Sequence, residues 1–62
     1  MTLNAIKTAV TAGETVCWKT SDYTVVFTHD WFIQCINGHC IGLTWADGET
    51  LNAKAESFYI AN

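Results

Sequence analysis

Five thiol and imidazole side chains in this 62-residue chain are the obvious candidates for holding a metal ion or attacking an electrophile: Cys17, His29, Cys35, His39 and Cys40. Zinc takes four ligands, and its fingers and ribbons usually draw them from paired knuckles. Here there is one Cys-x4-Cys spacing and no second pair, so no metal or other cofactor is expected. Cys35 and His39 stand on either side of an Asn37-Gly38 step, which makes them hairpin neighbours. A catalytic thiol also needs an oriented base, a lowered pKa and a partly open cleft. Cys35 is expected on the core-facing side of a domain with little room for a cleft. Its expected role, like that of the other cysteines, is that of a small apolar residue in a sheet. A Cys35–Cys40 bridge is disfavoured because the expected register sends the two to opposite faces.

The carboxylates and glycines add no reaction centre. Asp47 and Glu49 flank Gly48, while Asp22 and Asp30 fall at expected corners, where Asp serves turn geometry. Glycines 13, 38, 42 and 48 are scattered among turns and one strand, unlike a phosphate-binding loop. The chain is therefore expected not to be an enzyme.

Aromatic residues remain. Trp18, Trp31 and Trp45 are expected to face inward. Phe32 lies between the inward Trp31 and Ile33, so it must point outward, forming with Ile36 an apolar strip on the third strand. Tyr23 and Tyr59 are amphipathic and suit a rim. Exposed apolar groups in so small a chain suggest a contact surface, with Phe32, Ile36, Tyr23 and Tyr59 as the candidate binding residues. The competing expectation is that an N-terminal helix covers the strip.

The elements that position these residues follow from spacing. Leu3, Ile6 and Val10 form one helical stripe, with Thr2 as cap and Gly13 as exit; an extended arm is the alternative because Thr8, Val10 and Thr11 are β-branched. Glu14–Lys19 alternates as a strand, Thr20-Ser21-Asp22 reads as a turn, and Tyr23–His29 has strand composition. His29-Asp30 makes a corner before the third strand, Trp31–Ile36. Asn37-Gly38 is the strongest hairpin signal in the chain. A three-residue loop, Ile36-Asn37-Gly38, pairs Cys35 with His39, Ile33 with Ile41 and Trp31 with Leu43, giving one apolar face; a two-residue loop gives none. The same device at Ala46-Asp47-Gly48 closes Trp45 against Glu49 and sets Leu43 opposite Leu51. Asn52 then caps a helical turn before a last strand at Phe58-Tyr59-Ile60.

Four meandering strands, a helical turn and a closing strand resemble the layout of SH3-like small barrels over about residues 14–60. The resemblance implies a mostly β, five-stranded antiparallel barrel. Residues 1–12 are expected to form a helix or arm packed on it, and residues 13–62 the single small barrel domain.

Composition bounds what such a domain can do. Half of the residues are apolar, with three Trp, three Phe and two Tyr, as a short chain needs to offset its ordering entropy. No apolar run approaches membrane-span length, no secretion signal opens the chain, and the cysteine count is odd, which together point to the reducing cytoplasm. Three lysines face six carboxylates and arginine is absent, an unfavourable balance for gripping phosphates. The expected function is a small non-enzymatic binding module for another protein or for itself as a homodimer. Single-stranded nucleic-acid binding by aromatic stacking is the alternative, and the charge opposes it.

Overall fold

The computed structural model describes residues 1–61. Its first element is the helix the stripe predicts, α1, over Leu3–Thr11. The Thr2 hydroxyl oxygen accepts a hydrogen bond from the Ala5 amide at 3.1 Å, satisfying a donor that the helix start leaves free. At the other end the Glu14 amide donates to the Ala9 carbonyl and the Gly13 amide to that of Val10, both at 3.0 Å. Gly13 has φ +90, so these two bonds form the left-handed closure that glycine permits. Ile6 and Ala9 are buried against the sheet. That burial stabilises a nine-residue helix too short to persist alone in water.

Five antiparallel strands follow: β1 Thr15–Trp18, β2 Thr20–Phe27, β3 Trp31–Cys35, β4 Cys40–Gly42 and β5 Phe58–Ala61. They form one sheet in the order β4-β3-β2-β1-β5, a meander whose last strand returns beside the first. The expected barrel is not closed by strand pairing, because β4 and β5 are opposite edges of an open sheet. β4 has only three residues, and the chain beyond it runs through turns and a short 3-10 helix, Ala55–Ser57. Nothing among the described residues bridges the two edges as a strand.

Strand alternation divides the side chains between two faces. The inner face carries Val16, Val25, Ile33 and Phe58, which join Ile6, Ala9 and Leu43 in one apolar core. Burying each larger aliphatic group of this set stabilises the fold by about 1.5–3 kcal/mol. The opposite face is read from the pairing: Tyr59 lies beside Cys17, Cys17 beside Thr24, Thr24 beside Gln34 and Gln34 beside Cys40.

The β3–β4 hairpin has the predicted register. The Cys35 amide donates to the His39 carbonyl at 2.7 Å, and Gly38 sits at φ +92. Ile33 pairs with Ile41. Ile41 shares the inner side but lies on the edge strand, and it remains partly exposed.

Three local expectations are corrected. The second turn holds four residues: the Trp45 amide donates to the Thr50 carbonyl, and Thr44 bridges to Leu51. Gly48 is left-handed as expected, at φ +71, but Asp47 sets the longer loop. Its carboxylate accepts from the Glu49 and Thr50 amides and from the Thr50 hydroxyl. The one-residue shift places Leu43 beside Asn52, and Trp45, expected to face inward, is 59% exposed. The first reversal falls at Lys19, φ +64, with Trp18 paired to Thr20. The expected turn residues Ser21 and Asp22 lie instead in a wide bulge of β2, since the next pair is Cys17 with Thr24. Asn52 caps no helix; its Nδ2 donates to the Gly42 carbonyl at 3.2 Å and fastens the end of the β4 edge.

Candidate functional site

The four residues singled out for binding do not converge. Phe32 and Tyr59 share the outer face, but β1 and β2 stand between their strands. Phe32 is half-buried, with the His29 ring 5.5 Å away. The helix does not cover it, because Ile6 and Ala9 pack on the Ile33 side. Tyr23 lies on the inner side, its ring in edge contact with Trp18 at 4.9 Å. Ile36 projects from the hairpin loop and is 79% exposed. Partial desolvation, followed by the neighbouring Cys17 thiol, holds the Tyr59 phenol above its ordinary value of 10.0.

The thiols and imidazoles are also spread out. Cys17 is buried in the sheet, Cys35 is half-buried and Cys40 is exposed, all three as free thiols. Cys35 and Cys40 occupy opposite faces, since Cys35 pairs with Tyr23 and Cys40 with Gln34. Cys35 and His39 are neighbours through backbone bonding across the hairpin. Among the described residues, no three of His, Cys, Asp or Glu gather as a metal would require.

An apolar surface groove lies elsewhere, where the last turn of α1 meets the turn between β2 and β3. Three residues, Thr28-His29-Asp30, connect these strands, so Phe27 pairs with Trp31 on the inner side. The Asp30 carboxylate accepts from the Trp31 amide at 2.8 Å, and the Thr28 amide donates to the Asp30 carbonyl at 3.1 Å. These bonds pin the turn, and the two rings lie 5.0 Å apart at 54°. Val10 and Thr11 of α1 form the opposite wall of an open, mainly apolar groove. Phe27 is 56% exposed there, and Trp31 is half-buried. The Lys7 ammonium lies 5.7 Å from the Trp31 ring centre, within reach of a cation–π attraction.

Sequence reasoning missed this groove. Trp31 does face the core side as expected, yet α1 does not roof it. The available signal was the pair Phe27 and Trp31 bracketing a short polar turn, which places two large rings side by side at the end of a hairpin. No protein-family model, curated protein or solved structure matches the chain. No helix among the described residues is long and apolar enough to cross a membrane.

Proposed function

We propose that this chain is a small non-enzymatic protein-binding module of SH3-like layout, acting in the reducing cytoplasm. In this reading it seats a bulky apolar side chain of another protein between α1 and the β2–β3 turn. One observation carries the proposal: a ring pair, Phe27 with Trp31 at 5.0 Å, stands beside the end of α1 and is left open to solvent. Aromatic anchors in such pockets supply most of the energy of many protein interfaces. Lys7, whose ammonium lies 5.7 Å from the Trp31 ring centre, favours a partner with a carboxylate next to its apolar anchor.

A net charge of −3 sets up repulsion between two copies and favours a different protein as the partner. Phe32, Ile36, Tyr23 and Tyr59 do not line the groove and remain proposed residues for secondary contacts.

The test is capture from the native host lysate by the wild-type chain and by Phe27→Ser, with sedimentation of each. The expected result is a monomer that retains one partner, loss of that partner with Phe27→Ser, and its retention by Ile36→Ser. Equal capture by all three would overturn the groove as the site. Salt-sensitive quenching of tryptophan emission by short oligonucleotides, with no protein captured, would replace the proposal with single-strand binding.

A further inference from the structure

We infer that Asn37, at the tip of the β3–β4 hairpin, is a site of spontaneous covalent modification that turns its amide into an aspartate and isoaspartate mixture. The Gly38 backbone nitrogen gives its proton to solvent base and attacks the Asn37 Cγ. A bond forms between that nitrogen and Cγ, the Cγ–Nδ2 bond breaks, and ammonia leaves with a proton from water. The resulting succinimide takes up one water molecule. Opening at one carbonyl gives aspartate; opening at the other gives isoaspartate, in which the main chain runs through the former side-chain carbon. Water is the only co-reactant, and no electrons are transferred.

Several features select this position. Asn37 and Gly38 are both exposed. Gly38 has no Cβ to obstruct its nitrogen, and beyond its two chain neighbours no atom lies within 4 Å of where one would stand. Asn37 Oδ1 accepts the His39 amide at 3.1 Å, which curls the side chain over Gly38 and draws electron density from Cγ. One feature slows the step: the Gly38 amide donates to the Cys35 carbonyl at 2.9 Å, so the rate follows local opening of the hairpin tip.

The other candidates are held back. Asp47 also precedes a glycine, but closing its ring must expel water from a carboxylate, a slower step, and that carboxylate is bound by two amides and a hydroxyl. Asn4 lies in α1, and the Nδ2 of Asn52 is bound to the Gly42 carbonyl. At Asn37 the isoaspartate product inserts a main-chain atom into a three-residue loop beside the exposed Ile36. Either product adds a negative charge near Asp22, which lines the same surface hollow as Ile36 and Gly38.

The test is incubation of the folded full chain at neutral and mildly alkaline pH, followed by peptide mass spectrometry and enzymatic isoaspartate detection. The Asn37 peptide is expected to convert several-fold faster than those of Asn4 and Asn52. Isoaspartate should exceed aspartate, and alkali should speed the conversion. Asn37→Gln should abolish the signal while melting like the wild type. A denatured sample run in parallel keeps a negative result informative. If it converts at Asn37 while the folded chain does not, or if another asparagine leads in the folded chain, the inference is wrong.

Discussion

Asp47 and Lys19 show how single residues bend this chain, the first beside a left-handed glycine and the second without one. Lys19 takes a left-handed φ of +64, a conformation that costs an ordinary residue about 1–2 kcal/mol. Two contacts offset the strain: its amide donates to the Ser57 carbonyl at 2.9 Å, and its ammonium lies 4.5 Å from the Trp18 ring centre. Asp47 works through its carboxylate. Bonds from the Thr50 and Glu49 amides, and then from the Thr50 hydroxyl, hold its pKa below the ordinary 3.8. A depressed folded-state pKa means that the stabilisation is complete above the unfolded value and is lost as pH falls toward the folded one. Melting temperatures of wild type and Asp47→Ala should therefore differ by a constant amount near neutrality. The gap should narrow once pH drops below 3.8. A carboxyl resonance for Asp47 that titrates at or above that value would contradict the assignment.

Among the elements, α1 was legible because its apolar stripe, its Thr2 cap and its Gly13 exit all agree. The β3–β4 hairpin was legible because only a three-residue loop gives a continuous apolar face. The second turn was not, since a left-handed Gly48 fits both a three- and a four-residue loop, and the side chain of Asp47 decides between them. The β1–β2 reversal escaped prediction because Lys19 carries no local signal for its conformation. Ser21 and Asp22 advertise a turn but occupy a bulge. Asn52 reads as a helix cap, yet it serves the carbonyl of an edge strand, a long-range partner invisible in local spacing. The helix is nevertheless the element on which the fold depends. Ile6 is fully buried, and Ile6→Ala should cost about 2–5 kcal/mol. Total stability at about 0.05–0.15 kcal/mol per residue is of the same order for a chain this short. Circular dichroism and urea titration should show Ile6→Ala largely unfolded at room temperature. A midpoint matching the wild type would mean that α1 is not docked.

For the whole molecule, the decisive fact is where a nine-residue helix stops on a five-stranded sheet. Alternation in the sequence could assign Phe32 outward and Trp31 inward, but not how far along the sheet the helix would extend. The groove is that shortfall: one wall is the end of α1, the other the paired rings of Phe27 and Trp31. An anionic aromatic dye is a suitable probe, since its ring matches the apolar walls and its charge matches Lys7. Bound there, it should take excitation from Trp31, 5.0 Å from Phe27, more strongly than from the exposed Trp45. Phe27→Ser and Lys7→Gln should each weaken dye binding, while Trp45→Phe leaves it intact. Phe27→Ser should also melt like the wild type, because a side chain more than half in water contributes little burial to lose. Dye binding that survives Phe27→Ser but falls with Trp45→Phe would move the sticky surface to the 45–50 turn. In that case the end of the helix would have no part in recognition.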